Sequence, residues 1–230
     1  MKKSLYFVMV SALFFSGCIK HDVGAVEELT YVPQSLTFIE YEIKKSSPSK
    51  EELENTINIL QIRLKNLGYI NARVMEMGDK IRVSIPDFEE DAESMSQVIG
   101  QTAQLTFVDC EGNVVLEESD IKNAQYKYGS AMANGTDEHH IVLTLTDEGI
   151  HKFFEATGRI AKLPAGDNVI FVMLDSEAIQ SATVMSQIDS GEIIVVGSMN
   201  EKKAKTVAEL IRSGQLPLDI EVITITKEEK

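Results

Sequence analysis

The sequence of 230 residues has little of what builds a disulfide framework or a basic nucleic-acid-binding surface. It contains two cysteines, five prolines and no tryptophan. Two cysteines allow at most one disulfide, which excludes a disulfide scaffold and a zinc cluster made of thiolates. The 22 basic residues are outnumbered by 36 acidic ones, for a formal net charge of −14. Because nucleic-acid binding needs a basic surface that neutralises phosphates, we expect no nucleic-acid partner.

The sequence also lacks the common motifs of catalytic and cofactor-binding sites. It contains no Gly-rich phosphate loop, no HExxH or CxxC pair and no GxSxG nucleophile elbow. His139 and His140 are adjacent, so on a strand they would point to opposite faces and could not share one metal ion. The alternative is a loop-level metal site that would add Asp137, Glu138 and His151. We expect a non-enzymatic protein with no catalytic residue, cofactor or metal.

The N-terminus has the pattern of a bacterial export signal. Lys2 and Lys3 precede an apolar run from Ser4 to Gly17. Those 14 residues would form a helix of about 21 Å, too short for a hydrocarbon core of about 30 Å, so a cleavable leader fits better than a membrane span. The run ends in Phe15-Ser16-Gly17-Cys18, which resembles a lipobox except that leucine is usual in place of Phe15. We predict a signal peptide over residues 1–17; an ordinary secretory leader with an incidental cysteine is the alternative.

A lipid anchor at Cys18 would define where the rest of the chain lies. Cys18 is expected to carry diacylglycerol and palmitate, and residues 18–32 to form a tether. No second apolar stretch of membrane-spanning length follows, so we predict a soluble body on the extracytoplasmic side of the bacterial cell membrane. With Cys18 lipidated, Cys110 has no partner, and we expect it to be a buried, inert thiol.

An amphipathic helix is the clearest element that the sequence predicts. Ser49 and Glu52 have the spacing of a capping box at its N-terminus, and Gly68 supplies a C-terminal stop. Between them, leucine and isoleucine recur at helical intervals. They predict one buried stripe, made of Leu53, Ile57, Leu60, Leu64 and Leu67.

Strands and a second helix accompany this first helix. The acidic run 87–93 is expected to be the solvated first turn of a short helix that ends at Gly100, since no EF-hand spacing supports calcium. Gly78-Asp79 joins two of the strands as a hairpin. The expected strands are residues 36–43, 73–77, 80–85 and 105–108. Their order around the two helices is ferredoxin-like, and we predict an α+β fold with a ferredoxin-like base.

Past Cys110 the sequence predicts a second region. Ile150, Phe153 and Thr157 trace one face of a helix. A last helix capped by Asn200 and a strand over residues 216–226 are expected to return to the base. The strands expected in between are residues 120–129, 140–145, 169–174, 178–185 and 192–196.

Several segments resemble the extracytoplasmic region of the SecD protein-export family. One is Ile99-Gly100-Gln101-Thr102-Ala103-Gln104-Leu105-Thr106-Phe107, which is similar to the family's IGxTAxLxF run. The others occur in the family's order over residues 33–222. They are Ile62-Arg63-Leu64, Leu67-Gly68, Ile81-Arg82-Val83-Ser84-Ile85-Pro86, Asp147-Glu148-Gly149, Leu174-Asp175, Ile188-Asp189-Ser190-Gly191 and Ala208-Glu209-Leu210-Ile211-Arg212-Ser213-Gly214-Gln215-Leu216-Pro217.

The resemblance implies two lobes and a role in export. A base would comprise residues 33–109 and 200–226, with residues 110–199 inserted as a head that contacts exported polypeptide. The family's GLDLxGG run has no counterpart here, and its DGxxxSAP turn reads from Asp175-Ser176 without the glycine and the proline. Since the chain stops where SecD would enter its membrane helices, we expect no proton-driven activity.

The expected function is therefore that of a membrane-tethered, SecD-like binding module. Its expected partners are the membrane through the lipid anchor, and exported polypeptide or components of the Sec translocon. The alternative is an envelope lipoprotein that uses the same fold for a protein–protein interaction unrelated to Sec. We further expect hinges at residues 110–112 and 198–200, and an exposed apolar patch with an acidic rim on the head.

Overall fold

The computed structural model describes residues 32–131 and 135–229. The predictions of a signal peptide, of lipidation at Cys18 and of a tether lie outside these residues. None of the helices within them combines the length and the apolar content that a membrane span requires. The strands are β1 (Ser35–Ile43), β2 (Arg73–Met77), β3 (Lys80–Pro86), β4 (Leu105–Asp109), β5 (Val114–Glu117), β6 (Ile121–Ser130), β7 (Asp137–Leu145), β8 (Val169–Leu174), β9 (Glu177–Thr183), β10 (Glu192–Val196) and β11 (Ile220–Glu229); the helices are α1 (Lys50–Asn66), α2 (Ala92–Gly100), α3 (Asp147–Ile160) and α4 (Glu201–Ser213).

The α1 helix forms where its capping residues and apolar spacing predict it. The hydroxyl of Ser49 accepts a hydrogen bond from the N–H of Glu52, whose carboxylate accepts one from the N–H of Ser49. Gly68 follows the C-terminus at φ +99°, a backbone conformation that favours glycine. The stripe differs in part from the prediction, because Thr56 and Arg63 are buried whereas Ile57 and Leu67 are half-buried.

The first sheet has the antiparallel strand order β11-β1-β3-β2. This is the ferredoxin-like order, and α1 and α2 supply the helices that cover one face of the sheet. Apolar side chains alternate along the strands and build what we call the first core, which contains Ile39, Tyr41, Ile43, Leu53, Leu60, Leu64, Ile81, Val83, Ile85, Met95, Ile99, Leu216 and Leu218. The predicted α+β class is confirmed.

The fourth strand of this sheet is β11, and the prediction that residues 105–108 would fill that place is wrong. β4 instead pairs with β5 and β8. The ten-residue β11 pairs along the whole of β1, from Ser35 to Ile43, and leaves no edge of β1 for β4. Ala103, at φ +63°, lies where the chain leaves the first sheet just before β4 begins.

Two further antiparallel sheets make up the second region, in the orders β10-β7-β6 and β5-β4-β8-β9. Their inner faces and the helices α3 and α4 enclose what we call the second core, which contains Leu105, Phe107, Leu116, Ala124, Ile141, Leu143, Phe153, Ile160, Ile170, Val172, Leu174, Val195, Val207, Ala208, Leu210 and Ile211. The last helix, which the sequence analysis places in the base, packs its apolar face in the second core, and its assignment to one lobe stays a prediction.

The chain crosses between the two cores in two segments that contact each other. The first crossing is residues 101–104, between α2 and β4, and the second is residues 214–219, between α4 and β11. The N–H of Leu216 donates to the carbonyl of Thr102 at 2.9 Å. Residues 33–229 belong to one compact unit, and the division into a base and a head lobe stays a prediction.

Residues 110–112, which are predicted to form a hinge, do not lie between the two cores. These residues form the tight turn of the β4–β5 hairpin, where the N–H of Gly112 donates to the carbonyl of Asp109. Residues 198–200 join β10 to α4, and both of these elements contribute to the second core. The crossings at 101–104 and 214–219 are the connections that the sequence pattern did not reveal.

Candidate binding groove

Three neighbouring clefts follow α2 where it faces α4 and the β8–β9 turn. Their volumes are about 770, 340 and 830 Å³. The first and second share Asn200, Lys202 and Thr206 as lining residues, and the second and third share Val98 and Gln101. We call these clefts together the waist groove. Volumes in this range suit ligands of small-molecule or short-peptide size.

Aromatic and apolar side chains line the first cleft. Leu67 and Tyr69 come from the C-terminal side of α1, Met95 from α2 and Tyr126 from β6. The ring of Tyr69 lies 5.4 Å from that of Phe88, and its hydroxyl donates to a carboxylate at the edge of the cleft. Tyrosine presents an apolar face with a polar tip, so this surface can contact both side chains and polar groups of a ligand.

Oppositely charged side chains alternate around the first cleft. Lys202 contacts Glu90 at 2.7 Å, and Lys205 and Arg212 pair with nearby glutamates of α4. Hydrogen bonds from Lys202 and then from Tyr69 lower the pKa of Glu90. Lys205 also lies 5.1 Å from the centre of the Tyr126 ring. Such exposed pairs add little stability, so they are free to exchange partners with a charged ligand.

The third cleft has a different chemistry, based on amides and carboxylates. Gln97, Gln101, Gln104, Asp175, Asp219 and Glu221 line it, and its described lining contains no lysine or arginine. The Asp175 carboxylate accepts hydrogen bonds from the N–H groups of Ala103 and Gln104, at 3.2 and 2.8 Å. Asp219 accepts one from the hydroxyl of Thr102 at 3.1 Å. These bonds attach the first crossing to both sides of the cleft.

The Asp175-Ser176 turn forms although the glycine and the proline of the family pattern are missing. Asp175 takes φ +54°, and Leu174 and Glu177 pair across the turn between β8 and β9. An aspartate tolerates this left-handed conformation better than most residues. The carboxylate of Asp175 is engaged with the first crossing, so the turn is held by bonds outside the hairpin as well.

Exposed apolar residues of the second region lie on separate elements. They are Val114, Tyr128, Phe154, Met185 and Ile194. None of these side chains lines the waist groove. The apolar patch that the sequence predicts on the head is thus a different surface from the groove, and it stays a prediction.

The adjacent histidines lie on β7 and point in opposite directions. His139 contacts the hydroxyl of Tyr126 through Nδ1 at 2.9 Å and lies 4.8 Å from the Tyr128 ring. His140 is buried, and its Nδ1 lies 3.2 Å from the carbonyl of Glu138. In the part of the chain that the structure describes, no three His, Cys, Asp or Glu side chains are grouped as metal ligands.

Cys110 is exposed, and the prediction that it would be buried is wrong. It lies in the β4–β5 turn directly after the buried Asp109, where the alternation of the strand ends. Partial desolvation and the neighbouring carboxylates of Asp167, Asp109 and Glu111 raise the pKa of the thiol. Cys110 therefore remains mostly protonated at neutral pH and is a weak nucleophile.

Two family models match the chain. The model described as "SecDF, P1 head subdomain" matches residues 89–218, and "Protein translocase subunit SecDF, P1 domain, N-terminal" matches residues 53–112. The two matches overlap at residues 89–112, which include α2 and hence one wall of the waist groove.

Curated relatives and solved structures agree with these matches. Protein translocase subunit SecD of Acidaminococcus fermentans is 29% identical over 96% of this chain and 51% of the relative. SecD of Dictyoglomus turgidum is 27% identical over 75% and 41%. The chain thus spans about half the length of these relatives or less. The crystal structure of SecDF in a super-membrane-facing form matches 84% of this chain and 30% of its own with 21% identity and a TM-score of 0.71. A structure described as that of "a membrane component SecDF that enhances protein export" matches 82% of this chain and 99% of its own with 20% identity and a TM-score of 0.65.

Proposed function

The chain belongs to the SecDF P1 domain family, and from this premise we propose that it is a binding module of protein export. It acts outside the cytoplasm, fastened to the membrane by lipid on Cys18. Its ligand is a segment of exported polypeptide that lies in the waist groove, and components of the Sec translocon are its further partners. It works by binding, without catalysis and without proton-driven movement of its own.

The waist groove is the observation that carries this proposal. It lies against α2, where the two family matches overlap. An extended polypeptide presents apolar side chains, charged side chains and peptide groups in alternation. The first cleft offers tyrosine rings and loosely paired charges to the side chains. The third offers glutamine amides, which can donate to and accept from peptide groups.

A pair of tyrosines on one strand tests the site. Tyr126 lines the groove, whereas Tyr128 lies two residues further along β6, is 62% exposed and does not line it. We expect Tyr126→Ala to weaken binding of an unfolded export substrate by the full chain by about 1–2 kcal/mol, the loss typical of an aromatic interface residue. Tyr128→Ala is expected to have no effect, as measured by fluorescence anisotropy with a labelled polypeptide.

Two outcomes would count against the proposal. Equal losses for Tyr126→Ala and Tyr128→Ala would show that aromatic content and not the groove matters. If neither change affects binding, the polypeptide does not bind in the waist groove. If the native chain binds a folded envelope protein and no export substrate, the alternative of an interaction protein unrelated to Sec would be favoured.

The lipid anchor needs a separate experiment. One acyl chain binds a membrane only marginally, whereas two or more make release slow. We expect Cys18→Ala to shift the processed protein from the membrane fraction to the soluble fraction after cell fractionation. A Cys18→Ala protein that is cut to mature size and still sediments with membranes would contradict lipidation at this residue.

A further inference from the structure

A single buried arginine lies between the two crossings. Arg63 of α1 is fully buried, between Leu60 and Leu64 of the first core. Its Nη1 donates to the carbonyls of Ile99 at 2.7 Å and Gln101 at 2.5 Å. Its Nε donates to the hydroxyl of Ser213 at 3.2 Å, and its Nη2 donates to the carbonyl of Gly214 at 3.1 Å.

These acceptors belong to the C-terminal ends of two helices. Ile99 and Gln101 end α2, and Ser213 and Gly214 end α4. The last carbonyls of a helix lack partners within the helix and carry partial negative charge. Two such ends converge on one guanidinium. Its planar set of five N–H donors suits this many acceptors, whereas the three donors of a lysine ammonium on a flexible stem do not.

The guanidinium has no carboxylate among its hydrogen-bond partners in the described residues. Burial lowers the pKa of Arg63 to about 10, against the opposing effects of Asp175, Tyr41 and Glu118. The side chain is therefore protonated at neutral pH. A buried charge without a hydrogen-bonded carboxylate is tolerated only where dipoles replace the lost water, and here the peptide carbonyls of both crossings do so.

We infer that Arg63 is the residue that couples the first core to the second and fixes the separation of α2 and α4 across the waist groove. It is attached to the first core through α1. It holds the start of the first crossing by Ile99 and Gln101 and the start of the second by Ser213 and Gly214. The role of Arg63 does not depend on what the groove binds.

Hydrogen exchange of the full chain tests the coupling. In Arg63→Met we expect amide exchange of residues 99–104 and 213–218 to rise by about tenfold or more beyond the rise that lower global stability causes in β3 and β8, because the crossings also lose their common partner. Arg63→Lys keeps the charge but loses the planar set of N–H donors, and we expect it to show a smaller rise in amide exchange in the same two segments.

Leu60→Ala is the matched control. Leu60 is fully buried one turn before Arg63 and belongs to the first core. Its truncation is expected to raise exchange in β1 and β3 without singling out the crossings. The inference is overturned if Arg63→Lys and Leu60→Ala give the same exchange pattern, or if Arg63→Lys leaves both crossings as protected as in the native chain. Should Arg63→Met not fold, Arg63→Lys decides alone.

Discussion

The two cores bury charge in opposite ways. Beside the first core, the cation of Arg63 is buried, and its acceptors are three backbone carbonyls and the hydroxyl of Ser213, all at least 36 positions away in sequence. In the second region the buried charges are anions, Asp109 and Asp120, and each accepts from a cation at the surface. Their remaining partners are nearby N–H groups, such as those of Glu111 and Asn113 for Asp109.

The difference is one of range: Arg63 bonds residues far away in sequence, whereas Asp109 and Asp120 mainly hold local structure. The carboxylate of Asp109 shapes one hairpin turn and fastens it to Arg159 of α3. Removal of Asp109 should therefore affect the second region alone. Arg63 is bonded to residues up to 151 positions away, so its removal should affect the connection between the cores. The following experiments test this contrast, from the largest expected effect to the smallest.

Replacement of Arg63 should have the largest effect. Arg63→Met leaves the carbonyls of Ile99, Gln101 and Gly214 without their donor, and we expect the free energy of unfolding to fall by about 3–5 kcal/mol. Urea denaturation followed by circular dichroism measures it. Arg212→Met is the control, since Arg212 is exposed and forms a salt bridge with Glu209 on its own helix. Similar losses of unfolding free energy for the two variants would contradict the claim that Arg63 connects the two cores.

Truncation of Leu60 tests the apolar part of the same helix face. Leu60 is fully buried in the first core, and Leu60→Ala should lower the free energy of unfolding by about 2–5 kcal/mol through lost burial and a cavity. A denaturation midpoint unchanged from that of the native chain would mean that the α1 stripe is not packed against the first sheet.

The Asp109 anchor should contribute less than Arg63. Asp109→Asn keeps the shape but removes the charge that Arg159 and the turn N–H groups bind, at an expected cost of about 1–3 kcal/mol. Glu111→Gln lies in the same turn, is exposed and accepts one hydrogen bond, from Asn113, so it should be near neutral. An Asp109→Asn variant as stable as Glu111→Gln would show that the turn forms without the buried charge.

Asp109 also predicts a pH dependence. Burial would raise the pKa of Asp109, but hydrogen bonds from Asn113, Glu111 and Arg159 outweigh it and the pKa is lowered. A folded-state pKa below the unfolded value of about 3.9 stabilises the fold above that pH, and this contribution is lost as the pH falls through the folded-state pKa. We expect the native chain to lose stability below about pH 4 more steeply than Asp109→Asn. If the stability of the two proteins falls equally with pH, titration of Asp109 is not the cause of the acid destabilisation.

The smallest effect is expected for the charge pair at the groove edge. Lys202 and Glu90 are both well exposed, and Lys202→Ala should change the free energy of unfolding by less than about 1 kcal/mol. A larger loss, measured by the same urea denaturation, would mean that this pair helps to hold the cores together and that Arg63 is not the main connection.

Local elements could be predicted from the sequence, whereas their long-range partners could not. The capping box of Ser49 and the hairpin at Gly78-Asp79 depend on residues a few positions apart, and both form as predicted. The choice of β11 over β4 as the partner of β1 depends on which strand can pair along the whole edge. The five residues of β4 do not themselves indicate which strand will pair with β1.

The waist groove and Arg63 were missed for a related reason. Arg63 lies within the Ile62-Arg63-Leu64 segment and three residues after Leu60, so the helical period places it on the buried face. A buried face that is predicted from apolar residues alone does not include an arginine, even when the helical period places it there. The groove is built from α2, which ends at Gly100, the β8–β9 turn, which follows Leu174, and α4, which begins at Glu201. No short motif spans residues of α2 and of the two later segments, so no motif predicts that they meet.

Site-specific photo-crosslinking in intact cells tests the central claim most directly. A photoreactive amino acid at Gln125, which is exposed and lines the first cleft, should crosslink to a polypeptide arrested during export. The same probe at Lys122, exposed on the same strand but not part of the groove lining, should not. Crosslinks to the exported chain from Gln125 alone are the predicted result. Equal crosslinking from both positions, or none from Gln125, would contradict polypeptide binding in the waist groove.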